Sequence, residues 1–240
     1  MCRTVTVCAL ARSCRRNQVK QSRHARTSLA WPSGMAHPHG ASLTPTLMVR
    51  LRDATATVRD REPLGGRVSR LDYQRYLVQM YGFHAAIERA LMSSPQLAAV
   101  VPDAAMRNHK AGLLAYDLLA LGASPRELAQ LPRMTLASSF ALPEALGWTY
   151  VVESMTLGGK QLARHLARQI PVEIEHASAY LGCYGDAAPD RWRAFGAVLD
   201  GCEPARRDGD RVIAAARRGF LELRAWVRPA RKPQSTRIRA

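Results

Sequence analysis

From residue 51 onward apolar side chains recur at spacings of three and four, and almost no window alternates with period two, so the pattern predicts helices and essentially no strands. Ser69 followed by Asp72 has the form of a capping box, and the helix it opens carries Leu77, Met80, Tyr81, His84, Ile87 and Leu91 on one face. A second helix is expected over Ala104–Leu121, with Leu114, Leu118 and Leu121 in line. Ser124, Pro125 and Glu127 supply an N-cap, a first-turn proline and an N3 carboxylate for a short one. One long helix is predicted from Pro143 to Ile170. Pro171 and the Gly182/Gly185 region bracket another, holding Ala177, Tyr180, Leu181 and Tyr184. Pro189 starts the next, with Trp192, Phe195 and Leu199 inward. A last helix from about Asp210 to Val227 carries Val212, Ile213, Ala216, Phe220 and Leu223 on its apolar side. Short connections and the lack of an internal repeat predict an all-α fold, a single multi-helical domain over residues 48–227.

Within the long predicted helix, Gly158 and Gly159 stand side by side, and each costs roughly 1 kcal/mol relative to alanine in a helix interior. At helical spacing Val151, Met155, Gly158, Gly159, Leu162 and Leu166 share an apolar face, opposite Glu153, Lys160 and Arg164. Bare backbone on an inward face serves close approach of another helix or contact with a flat ligand. The pattern by itself leaves both open.

Composition narrows the function classes. No stretch reaches the roughly 18 consecutive apolar residues of a membrane span, so no membrane partner is expected. A formal charge of +16 points first to nucleic acid, but its distribution argues otherwise. Residues 1–50 hold eight Lys and Arg and residues 228–240 hold five, with no acid in either; 22 basic and 19 acidic side chains remain between, a net of +3. The excess therefore falls in a basic N-terminal extension, 1–47, and a basic tail, 228–240, both expected to be disordered. The arginine-rich start has the composition of a transit peptide, or is upstream sequence ahead of Met35 or Met48. Cys2, Cys8 and Cys14 match no tetrahedral zinc spacing, and five cysteines without an export signal are expected to be reduced thiols of a cytoplasmic protein.

No phosphate loop, dinucleotide fingerprint, zinc-protease motif or nucleophile elbow occurs. The stretch Gly147-Trp-Thr-Tyr-Val-Val-Glu-Ser-Met-Thr-Leu-Gly-Gly159, continuing through Lys160 to Leu166, resembles the distal-helix segment of bacterial biliverdin-producing heme oxygenases. Leu51-Arg-Asp-Ala-Thr55 resembles the family's opening segment, and Tyr184-Gly185 with Arg191-Trp192-Arg193-Ala194-Phe195 its later pattern. The resemblance spans Leu51 to Trp226. It implies a heme oxygenase-like fold with heme between a proximal first helix and a kinked distal helix, Gly158 and Gly159 lying over the macrocycle. It further implies cleavage of heme to biliverdin, iron and carbon monoxide, with heme as substrate and cofactor and a reductase or ferredoxin as electron donor.

Two positions depart from the family. The alignment puts Arg59 where the proximal histidine stands, and a guanidinium offers iron no lone pair. After the distal glutamate, Ser154 and Met155 replace a glycine and a small polar residue, with Met155 bordering the pocket. Tyr150, Arg191 and Arg193 are candidates for heme propionates. His84 reads as a satisfied core histidine, His165 as bordering a pocket, and His109 and His176 as surface or boundary residues; His37 and His39 precede the domain. Glu173-Ile-Glu-His176 has the Glu-x-x-His spacing of carboxylate-bridged di-iron helices but lacks the second copy, so no metal site is assigned. The readings carried forward are a heme oxygenase and, alternatively, a non-catalytic tetrapyrrole-binding or regulatory module on the same fold.

Overall fold

The computed structural model describes residues 45–59, 64–101 and 103–227; the expectations for residues 1–44 and 228–240, His37, His39 and the N-terminal cysteines among them, lie outside it. Twelve α-helices and no strand occur among these residues: α1 Leu47–Thr55, α2 Arg70–Met92, α3 Pro95–Val100, α4 Ala104–Arg107, α5 Lys110–Ala120, α6 Pro125–Gln130, α7 Leu142–Thr156, α8 Gly159–Ala167, α9 Pro171–His176, α10 Ala188–Gly201, α11 Glu203–Arg207 and α12 Gly209–Val227.

The caps read from sequence are in place. Ser69 Oγ accepts from the Asp72 N–H while the Asp72 carboxylate accepts from the Ser69 N–H, and Ser124 with Glu127 repeats the arrangement at α6. The helix expected over Ala104–Leu121 is instead two, broken at Asn108 and His109. The Glu88 carboxylate reaches from α2 to accept the N–H groups of Lys110 and Ala111 at 2.7 and 3.1 Å, which satisfies the start of α5 and rewards the break. The helix expected after Pro171 stops at His176. Beyond it Asp117 of α5 captures the N–H groups of Ala179 and Tyr180, holding residues 177–184 as turns. Ala177, Tyr180 and Leu181 are buried there as the apolar pattern required.

Helix α2 runs through two apolar clusters. Phe83, Ile87 and Leu91 join one formed with α1, α7, α10 and α12, while Tyr73, Tyr76, Leu77 and Met80 join another formed with α5, α8 and α9. Helix α7 is buried from Ala145 through Ser154 and packs most extensively on α12. Glycines permit that contact. A Cβ on Gly147 would stand 2.5 Å from the Val212 carbonyl oxygen, and one on Gly219 would stand 2.8 Å from Val151 Cγ2, so each helix yields a side chain to bring the axes together. Helix α1 lies beside this pair, its Arg50 bonded to Asp210 and its Met48 N–H donating to Asp200 at 3.0 Å.

Candidate functional site

The helix expected as one piece from Pro143 to Ile170 is two, α7 and α8, separated at Leu157 and Gly158. Three residues before the break, Ser154 Oγ donates to the Val151 carbonyl at 2.8 Å, and Thr156 Oγ1 donates to the Glu153 carbonyl at 2.7 Å. Hydroxyls bonded back to the preceding turn bend a helix, and the glycine pair removes the propensity that would carry the bend through.

The two glycines have separate roles. Gly159 is buried, and a Cβ there would stand 2.3 Å from the carbonyl oxygen of Leu181, so this position serves close chain packing. Gly158 faces outward rather than inward, at φ −87° and ψ −9°, and a Cβ there would meet nothing within 4 Å. Met155, in the last turn of α7, touches both apolar clusters.

Arg59 does not lie within the first helix. That helix ends at Thr55, and Arg59 is in the following turn, its N–H donating to the Thr55 carbonyl at 3.1 Å. From there its Nη2 donates to the Tyr150 hydroxyl on α7 at 2.9 Å. The guanidinium stands 5.3 Å from the Phe220 ring centroid and 5.8 Å from that of Tyr150. Tyr150 is fully buried, with Trp192 tilted against it at 5.2 Å and Phe220 edge-on at 6.4 Å. Arg59 Nε is buried without an acceptor. Among the described residues no carboxylate pairs with this guanidinium, whereas Arg50, Arg107, Arg191 and Arg211 each have one.

Glu153, read from its spacing as solvent-facing, is 1% exposed and forms the centre of a charged cluster. Arg107 Nη1 donates to one carboxylate oxygen at 2.7 Å; Lys110 Nζ and the Tyr184 hydroxyl donate to the other, each at 3.0 Å. Burial and the Glu153 charge push the Tyr184 hydroxyl upward. Asp103 bridges Arg107 and Arg191, each at under 3 Å, so Arg191 is spent on a carboxylate and on the Tyr184 ring; Arg193, exposed, pairs with Asp190. The sequence did hold a signal for the cluster: Lys110 and Asp117 lie at helical spacing with Leu114 and Leu118, charges inside an apolar stripe.

The described histidines are engaged elsewhere. His84 is buried as expected, with Nε2 3.0 Å from the Tyr180 hydroxyl, but its Nδ1 has no partner; burial and the Lys110 charge hold it well below the usual imidazole range. His165 is bonded to Gln169 at 2.9 Å, His176 to its own helix carbonyl at 2.8 Å, and His109 lies against Tyr184. No group of three His, Cys, Asp or Glu positioned to hold a metal occurs among the described residues. The donor set around Arg59 therefore does not fit axial ligation of an iron. What it offers is an unpaired guanidinium N–H beside the Tyr150 hydroxyl, while Gly158 stands exposed.

The heme oxygenase family model matches residues 50–229. No curated protein matches the chain. Among solved structures it is similar to the NO- and CO-bound heme oxygenase from Neisseria meningitidis, with a TM-score of 0.63, 23% identity, and coverage of 77% of this chain and 92% of that one. At this identity the likeness is one of fold.

Proposed function

The chain belongs to the heme oxygenase family, and from that premise we propose that it binds a tetrapyrrole between its first helix and the α7–α8 bend and holds it without opening the ring. The observation that carries this reading is the engagement of Arg59, at the position the family resemblance gives to the proximal histidine, with the Tyr150 hydroxyl. A guanidinium stays protonated at any physiological pH and has no lone pair for iron. The residue that would tune oxygen activation is thus replaced by one that pairs with anions. Gly158 offers bare backbone to the ligand, and Met155, three residues earlier, packs on the apolar clusters at a position where the resemblance gives a small polar residue.

The proposed domain runs from residue 48 to 227. No described helix is long and apolar enough to cross a membrane, and the described cysteines, Cys183 and Cys202, are free, which supports a cytoplasmic setting. A reductase or ferredoxin belongs only to the catalytic alternative, cleavage of heme to biliverdin.

Titration of the full chain with hemin, followed by reductant and dioxygen, tests the reading. The expected result is stoichiometric binding with no biliverdin absorbance. Biliverdin release would establish the catalytic alternative, and failure to bind would remove the tetrapyrrole from the account.

A further inference from the structure

The segment that joins α6 to α7 is pinned to α2 at two points. The Met134 N–H donates to the Gly82 carbonyl at 3.1 Å, and the Phe140 N–H donates to Ser94 Oγ at 2.9 Å. Between these pins, from Thr135 to Ser139, no backbone group is bonded to another described part of the protein. The chain stands clear of α2 there and leaves a cleft of about 360 Å³, within the range of small-molecule sites. Ala86 and Ala90, one helical turn apart and on the side of α2 opposite Glu88, keep its floor low, and Met134 and Leu136 complete an apolar lining. Arg89 and Arg133 line it as well, and both are exposed. Arg133 is held over the Tyr81 ring, 5.9 Å from its centroid. Among the described residues neither arginine has a carboxylate within ion-pair distance, whereas Arg75 on the same helix is paired with Asp72. The hydroxyls of Thr135 and Ser138, two further lining residues, also bond to no described group.

We infer that this cleft binds an organic phosphate, its phosphoryl group held by Arg89 and Arg133 and its apolar part resting on Ala86, Ala90, Met134 and Leu136. Two uncompensated guanidinium groups, two hydroxyls and a run of free backbone N–H groups outnumber the two oxygens and single charge of a carboxylate. A phosphoryl group carries nearly two charges at neutral pH and three oxygens to accept from them. The cleft is formed by α2 and the chain before α7, apart from the tetrapyrrole site proposed between α1 and the α7–α8 bend, and the inference does not rest on that reading.

Calorimetric titration of the full-length protein with phenyl phosphate, inorganic phosphate and benzoate, at one ionic strength, tests it. Phenyl phosphate is expected to saturate a single site, with inorganic phosphate, which lacks the apolar part, and benzoate, which lacks the second charge, each about tenfold or more weaker. Arg89→Gln and Arg133→Gln, at exposed positions, should each weaken phenyl phosphate about tenfold. Arg75→Gln, about 21 Å away along α2, should leave its affinity unchanged. Saturating hemin should leave it unchanged as well. The absence of saturable phenyl phosphate binding would overturn the inference. So would equal losses in the Arg75 and Arg89 variants, which would mean attraction to surface charge at large, or benzoate binding as tightly as phenyl phosphate. Displacement by hemin would assign these arginines to the tetrapyrrole site and overturn it too, whereas a failure of hemin to bind at all bears only on the tetrapyrrole reading.

Discussion

Arg59 and Tyr150 are 91 residues apart in sequence, and a 2.9 Å hydrogen bond joins the turn after the first helix to the buried face of α7. Under the proposed reading, that bond sets a protonated donor at the position the family resemblance gives to the iron ligand.

Arg59→His restores a neutral imidazole, whose nitrogen lone pair can reach iron. Hemin affinity is expected to rise about tenfold or more, and the ferric spectrum to become that of a histidine-ligated heme. Hemin should then bind more tightly than metal-free protoporphyrin IX. An unchanged spectrum would displace Arg59 from the proximal position.

The glycines separate stability from binding. Gly159→Ala forces a methyl onto the Leu181 carbonyl and is expected to cost about 1–3 kcal/mol, read by denaturant unfolding. Gly158→Ala meets open space at a helical φ and should change stability by less than about 1 kcal/mol, in the stabilising direction. Gly158→Leu should fold normally and weaken hemin binding; full affinity in that variant would take Gly158 out of the ligand surface.

Glu153→Ala leaves the buried Lys110 without a carboxylate and Arg107 with Asp103 alone. A loss of about 3–5 kcal/mol is expected by chemical denaturation. A variant that unfolds at the wild-type midpoint would mean water reaches the cluster.

Burial raises the Glu88 carboxyl from its ordinary value of about 4.5 to about 7, against the opposing donation from Ala111 and Lys110. Between these values the folded chain holds a proton that the unfolded chain has lost, so this group's contribution is fully present below pH 4.5 and disappears as the pH rises through 7. Asp117, raised to about 6 by burial, acts in the same direction at lower pH. His84, held neutral by burial, acts oppositely and weakens the fold as the pH falls below the usual imidazole value. Glu88→Gln should reduce the decline in stability expected of the wild type between pH 5 and 7, read by unfolding measurements at matched ionic strength. An unaltered pH profile would mean Glu88 is ionised throughout the range.

Local chemistry was legible wherever a few neighbouring residues determine it. The Ser69 and Ser124 capping boxes, the apolar stripe from Leu77 to Leu91 and the inward Phe195 and Leu199 depend on helical periodicity and hydrogen bonds three residues apart. The family was legible from the Tyr150–Leu166 segment, and the fold agrees with it. Less legible were the breaks at Asn108 and after His176, because the carboxylates that hold the chain just beyond them, Glu88 and Asp117, come from helices distant in sequence.

Gly158 and Gly159 mark that division. Their adjacency on an apolar pattern was enough to single out the segment, yet periodicity assigned both to one face. The bend at Leu157 turned Gly158 outward and brought Gly159 onto Leu181. Likewise the sequence alone determined that residue 59 carries a permanent charge without a lone pair, whereas tertiary structure decided that this charge meets Tyr150 and that Glu153 is buried. Charge and propensity belong to single residues; the partner of a buried ion depends on which distant helices are packed around it, and that is decided only when the core closes.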